Sequence, residues 1–258
     1  DADGRRYNFE GGMPNGNAFN FDAVRSEEDE GELKDHGDTI DASGAGLGAD
    51  DLGVVIYGGM GNDIITGSGG RDHIAGGSGD DDITAGGGDD IVYGDNGFSI
   101  DLVTRDLIEV SFVNDTPQYR SGDTREAGTD TIRGNDGRDV IFGDHGLVWQ
   151  VPGTNRITST GDYARIESTD FGAGVRDFLY GNDGDDIIIG GNGNDDIELG
   201  EGNNIGFGDN GLVDWTMRDG DNKSIDLIQT VAAVVGGNDM ITAGRGNDVA
   251  LGGQGVDT

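Results

Sequence analysis

Gly58–Thr66 reads GGMGNDIIT, and the same nine-residue phrase returns at Gly76–Thr84 (GGSGDDDIT), Gly181–Ile189 (GNDGDDIII) and Gly190–Glu198 (GGNGNDDIE). Its form is Gly-Gly-x-Gly-x-Asp-x-apolar-x. The glycines let the backbone turn sharply and bare its carbonyls. The aspartate fixes a hard anionic oxygen at one point of the turn, and the single apolar residue points into a core. Stacked turns of this kind build cages of oxygen that suit a hard cation.

Working outward, the register appears in four blocks, Gly58–Tyr93, Arg125–Phe142, Gly172–Phe207 and Val234–Thr258, thirteen motifs with the last truncated. The sixth position holds Asp63, Asp72, Asp81, Asp90, Asp130, Asp139, Asp177, Asp186, Asp195, Asp239, Asp248 and Asp257; Asn204 is the one neutral occupant. The eighth position is aliphatic except at Gly206 and Ala250, so those two turns are expected to pack weakly. Val175 stands where the fourth-position glycine belongs, which puts the first turn of the third block in question.

The first three blocks each end in one tetrapeptide pattern: Gly94-Asp95-Asn96-Gly97, Gly143-Asp144-His145-Gly146 and Gly208-Asp209-Asn210-Gly211. Strand-like runs follow, such as Ser99–Val113, Leu147–Val151 and Ser224–Val231, rich in alternation and β-branched residues. They read as arms that leave the stack and return. The tetrapeptides fall in register as the start of a further motif. They act either as half-turns closing the last cage with carbonyls, aided by Asp95, Asp144 and Asp209, or as plain β-turns.

Composition bounds the rest. Across 258 residues, 51 acids face 16 bases, for a net charge of −35. Such self-repulsion opposes compaction until cations neutralise it. It excludes nucleic acid as a partner, because the surface repels phosphate, and argues equally against anionic membrane. No stretch reads as a membrane-inserting segment. With 52 glycines but only 3 prolines, and no third-residue glycine period, collagen is excluded. No cysteine is present, so nothing rests on disulfides. No nucleophile, base and oxyanion hole assemble from any motif, so the chain reads as non-enzymatic. His73 and His145 read as ordinary surface or turn residues, and Trp149 and Trp215 as packing residues of the arms.

The motif resembles the RTX family, the glycine- and aspartate-rich repeats of bacterial secreted proteins. The resemblance implies an all-β fold: a parallel β-roll or β-solenoid in blocks, interrupted by β-hairpin-like arms. In such a roll six residues turn and three form a strand, so residues eighteen apart become neighbours. It also implies several Ca2+ ions per chain, held by the sixth-position aspartates and by carbonyls at Gly58, Gly76, Gly94, Gly181 and Gly190; the half-turn reading of the tetrapeptides, which is no family rule, adds Asp95, Asp144 and Asp209. The physics is consistent. Carboxylates stacked about 5 Å apart repel by roughly 0.8 kcal/mol even in water. Calcium between layers reverses that sign, magnesium demands tighter octahedral geometry, and zinc lacks its cysteine and histidine set.

The organisation expected is a cap or linking segment at 1–51, roll blocks at 52–97, 125–146, 172–211 and 234–258, and arms at 98–124, 147–171 and 212–233. Asp38–Ala45 (DTIDASGA) and the tetrapeptides are also similar to repeat units of very large bacterial surface or secreted proteins. That likeness implies an extracellular or cell-surface structural module, an adhesin stalk, surface layer or matrix fibre, exported by the type I route. Both ends read as cut from a longer array. Partners would be other copies or neighbouring modules, with carbohydrate or a surface ligand on the arms. The alternative is a calcium-triggered folding and secretion domain of an enzyme or toxin whose catalytic part lies outside this chain.

Overall fold

The structure is a computed structural model of the chain, and it describes residues 7–8, 37–100, 107–110, 126–150, 163–172, 174–218 and 222–258. The aromatics Phe9, Phe19 and Phe21, the acidic run Glu27–Glu32 and most of the first arm lie outside the described residues.

Glycine at the turns and β-branched residues after the aspartate divide each nonapeptide into bend and strand. Successive strands go alternately to two parallel sheets. One takes Tyr7–Asn8, Thr39–Asp41, Ile64–Thr66, Asp82–Gly87, Thr131–Asp136, Phe178–Asp183, Asp196–Glu201 and Met240–Arg245, in that order. The other takes Leu52–Met60, Arg71–Ser78, Ile91–Tyr93, Val140–Phe142, Ile187–Ile189, Ile205–Phe207 and Val249–Leu251. The DTIDASGA stretch thus supplies a strand of the first sheet, at Thr39–Asp41, and Ala42 enters the core.

The two sheets run without a break through the arms. Eighth-position residues pair as Ile65 with Ile83, Ile83 with Ile132, Ile132 with Leu179, Leu179 with Ile197, and Ile197 with Ile241. In the second sheet Ile74 meets Val92, then Ile141, Ile188, Gly206 and Ala250 in turn. An arm lengthens the chain between two layers and leaves their register intact.

The eighth-position side chains of both sheets fill the interior: Ile56, Ile65, Ile74, Ile83, Val92, Ile132, Ile141, Leu179, Ile188 and Ile197 form one buried cluster with Leu199. Gly206 does not leave its turn under-packed. Leu199, at the first position of the same motif, is fully buried, and a Cβ at Gly206 would stand 2.6 Å from Leu199 Cδ2. One large side chain has moved seven positions upstream and fills the same volume. Ala250 lies exposed in the last layer. Val175 is also accommodated, since Asp177 keeps its place in the stack, accepting from Asp130 N–H at 2.8 Å and donating to Asp195 at 2.9 Å.

The sheets differ on their outer faces. Seventh and ninth positions in the first sheet are mixed and largely polar, for instance Asp82 and Thr84, or Asp196 and Glu198. In the second they are apolar apart from His73: Ile91 and Tyr93, Val140 and Phe142, Ile187 and Ile189, Ile205 and Phe207. That second apolar face needs a cover, and the arms provide it. Gly146–Gln150 pairs antiparallel with Tyr163–Ser168, and Gly211–Asp214 with Leu227–Thr230. The two hairpins join edge to edge through Tyr163–Ser168 and Gly211–Asp214 into one four-stranded sheet. Its Ile166 and Val213 are buried against Tyr93, Phe142, Phe207 and the isoleucines beneath, with Val148, Tyr163, Trp215 and Ile228 around them. Tyr93 and Phe142 stack at 5.0 Å. A Cβ at Gly211 would stand 2.5 Å from Phe207 Cγ, so the tetrapeptide can close over the ring only with glycine at its end. Gly97–Ile100 and Leu107–Val110 form a separate antiparallel pair.

Candidate metal centre

The sixth-position side chains stack into two columns, one along each edge of the roll. In the first, each aspartate's Oδ1 accepts the backbone N–H of its counterpart one layer before: Asp63 to Asp81 at 2.7 Å, Asp81 to Asp130 at 2.8 Å, Asp130 to Asp177 at 2.8 Å, Asp177 to Asp195 at 2.9 Å, Asp195 to Asp239 at 2.9 Å and Asp239 to Asp257 at 3.1 Å. The second runs Asp72, Asp90, Asp139, Asp186, Asn204 and Asp248, with spacings of 2.7 to 3.0 Å. One oxygen per aspartate is therefore spent on holding the layers together.

The other oxygen is left over. Oδ2 of Asp90, Asp130, Asp139, Asp177, Asp186, Asp195 and Asp239 is buried without a hydrogen-bond partner. These oxygens converge with main-chain carbonyls around the first-position glycines. At Gly94, Asp130 Oδ2 and the Gly143 carbonyl both come within 3.0 Å of where a Cβ would stand. The same pairing recurs at Gly143 (Asp177 with Gly190 O), Gly190 (Asp195 with Gly208 O), Gly208 (Asp239 with Gly252 O), Gly134 (Asp139 with Gly181 O) and Gly181 (Asp186 with Leu199 O). Gly58 and Gly76 carry the equivalent cradles beside Asp63 and Asp81. The turns that bring the carbonyls in need left-handed backbone: Gly184 has φ 148°, Gly191 φ 111°, and Asn135 and Asn182, which replace second-position glycines, both φ 72°.

Asp72 differs from its column. Its oxygens take Val54 N–H at 2.7 Å, the Ser68 hydroxyl at 2.8 Å and Ser68 N–H at 2.5 Å. Asp248 and Asp257, in the last two turns, are half-buried.

Burial sets the electrostatics. It pushes Asp90 up to about 10, helped by Asp139 and Asp72. It pushes Asp139 to about 8, Asp195 to about 8, Asp186 to about 7, and Asp72 and Asp239 to about 6. Asp95, Asp130, Asp144 and Asp177 are raised well above the usual carboxylate range, by burial first and then by one another's charge. The arginine ion pairs serve other acids: Arg133 holds Asp82, Arg138 Asp89, and Arg176 Asp196. A buried carboxylate so placed must bind a proton or a cation.

The donor set is oxygen alone, part carboxylate and part carbonyl, which fits calcium and not zinc. Among the described residues no three acidic or histidine side chains converge on one point, so main-chain carbonyls would complete any coordination shell. His73 and His145 are not at the surface; both are buried, and burial lowers His73 to about 4.

One set of residues escaped the sequence reading. Fifth-position asparagines and aspartates reach across to the fifth-position amide of the next layer: Asn62 to Asp80, Asp80 to Thr129, Asp185 to Asn203, Asn203 to Asn247, and Asn194 to Asn238, at 2.7 to 3.2 Å. The recurrence of Asn or Asp immediately before the sixth-position aspartate was the available signal.

A two-sheet parallel roll with stacked, half-satisfied carboxylates along both edges is a cation-binding β-roll. A family model described as RTX calcium-binding nonapeptide repeat (four copies) matches residues 54–74, 66–100, 126–146, 171–205 and 235–258. The repeat blocks at these residues are RTX calcium-binding nonapeptide repeats. The repeats bind several calcium ions per array and occur in secreted proteins. No curated protein and no solved structure matches the chain. No helix among the described residues is long and apolar enough to cross a membrane.

Proposed function

We propose that this chain is a calcium-folded structural module of a large extracellular bacterial protein, a stalk, surface layer or fibre element, with the ligands placed on Asp90, Asp130, Asp139, Asp177, Asp186, Asp195 and Asp239 and on the carbonyls beside them. The observation that carries this reading is the continuity of both aspartate columns through every arm. Continuous columns make one stiff rod in place of four short rolls, and the arms thicken the rod by adding a sheet to its apolar side. Because the cages exist only when layers stack, ion binding becomes folding free energy. Neighbouring modules or further copies are the natural partners of a roll whose layers stack by strand pairing.

Circular dichroism and small-angle scattering of the purified chain test this. Millimolar calcium should convert a coil-like spectrum into a β-rich one and produce an elongated particle, with magnesium failing to do so. Pulled between its ends in a force microscope, the calcium form should resist extension and the chelated form should not. Equal behaviour in calcium and chelator would end the reading.

A further inference from the structure

Each arm leaves the roll just after a tetrapeptide aspartate and returns at the fourth position of the next motif, Gly128, Val175 or Gly237. The aspartate holds that return. Asp95 accepts Gly128 N–H at 2.9 Å. Asp144 accepts Asn192 N–H at 2.6 Å and sits against the backbone of Gly174 and Val175. Asp209 accepts Gly237 N–H at 2.7 Å and also the Gln254 amide, which uses both its oxygens.

Asp95 and Asp144 each keep one oxygen in reserve. Asp95 Oδ2 and Asp144 Oδ1 are buried with no hydrogen-bond partner, in residues 0% and 4% exposed. The charge acting most strongly on Asp95 is that of Asp130, and the one acting most strongly on Asp177 is that of Asp144, while Asp130 itself feels Asp177 most and Asp144 feels Asp195, so the four acids form one run along this edge. Asp130 and Asp177 are the residues whose own leftover oxygens face the Gly143 and Gly190 carbonyls. The strongest charges acting on these four acids all come from other carboxylates. The opposite edge has no tetrapeptide aspartate, and its column offers one sixth-position side chain per layer.

We propose that two layers of the arm-bearing edge are dicarboxylate clasps: one calcium ion is held by Asp95 with Asp130, and another by Asp144 with Asp177. Each ion joins layer to layer and also locks the exit of an arm to its return. The inference rests on the calcium reading above and adds to it a role for the ion in arm docking. With two carboxylates in place of one, these sites fill before those of the Asp139 and Asp186 column.

The two tryptophans give a separate readout of the arms. Trp149 lies on the hairpin that follows Asp144, and Trp215 packs 5.7 Å from Tyr163 of that same hairpin. In calcium titrations of the full chain, tryptophan emission follows arm docking and far-ultraviolet dichroism follows the roll. Asp144→Asn keeps an acceptor for the Asn192 amide but removes the charge. It should move the emission midpoint to about tenfold or more higher calcium, well beyond the shift in dichroism. Asp139→Asn, one charge lost on the other edge, should move the two midpoints together. Equilibrium dialysis of Asp95→Asn should show one tight ion fewer, which keeps the idea testable if Asp144→Asn does not fold. Wild type unresponsive to calcium would defeat the calcium reading itself. A responsive wild type, with Asp144→Asn shifting both midpoints alike or neither, or Asp95→Asn retaining every tight ion, would overturn the clasp alone.

Discussion

Replacing Asp90 by asparagine should change stability in opposite directions with and without calcium. In the calcium-free fold, burial and the charges of Asp139 and Asp72 raise this carboxyl from 3.8 to about 10. The folded chain then holds a proton that the unfolded chain has released, so the folded state gains as pH falls from 10 towards 3.8 and loses as pH rises. At pH 7 the gap above 3.8 corresponds to about 4 kcal/mol against folding. Asparagine carries no such cost. Its Oδ1 can still accept the Asp72 amide, as Asn204 Oδ1 accepts the Asp186 amide at 2.8 Å. The chelated variant should therefore fold at a lower concentration of a stabilising osmolyte, with a midpoint change equivalent to about 4 kcal/mol at pH 7 and little change near pH 4. With saturating calcium the same substitution removes a charged ligand and should lower the urea midpoint. Dichroism in both series, on the same preparations, decides the matter. A shift of the same sign in calcium and in chelator would refute the reasoning.

Other outcomes follow from particular contacts. Leu199→Ala should cost about 3 kcal/mol in calcium by urea denaturation, and Gly206→Ala alone should also destabilise by crowding Leu199; the exchanged pair Leu199→Gly with Gly206→Ile should recover most of the loss, and simple additivity would contradict the shared-volume account. Gly143→Ala puts a methyl group where Asp177 Oδ2 and the Gly190 carbonyl converge, so dialysis should count fewer bound ions, and an unchanged count would misplace that cage. Asp81→Ala should lower both calcium stoichiometry and affinity, measured by calorimetry, since Asp81 stands at a cradle and also ties Asp63 to Asp130.

The sixth and eighth positions gave the roll to anyone reading the sequence, because turn chemistry and core contact repeat every nine residues and are local. The eighteen-residue neighbours inside blocks were legible for the same reason. Pairing across arms was not: Asp81 meets Asp130, Asp130 meets Asp177 and Asp195 meets Asp239 at separations of 49, 47 and 44 residues, and none is a multiple of nine. What restores register there is the aspartate of each tetrapeptide gripping the returning backbone, a long-range contact with no periodic trace. The cover over the second sheet left a signal that is plain afterwards. Alternate motifs carry apolar seventh and ninth residues, and Tyr93, Phe142 and Phe207 each precede a tetrapeptide ending in glycine. The weak packing expected at Gly206 failed because volume, not position, is what a core conserves, and Leu199 supplied it.

The unbroken register across the arms also makes the roll's layer spacing independent of the length of what is inserted. Each insertion begins and ends at neighbouring layers, so its two ends stand about one strand spacing, roughly 4.8 Å, apart. The entropic cost of closing a loop between such ends grows only with the logarithm of its length. Segments of quite different size can then be carried on one edge of the same spine, provided that the gripping aspartate, the ring-capping glycine and the strands that cover Tyr93, Phe142 and Phe207 remain. In engineering terms the scaffold has splice sites: cargo can be exchanged at Gly97, Gly146 or Gly211 while the ion columns behind it stay as they are.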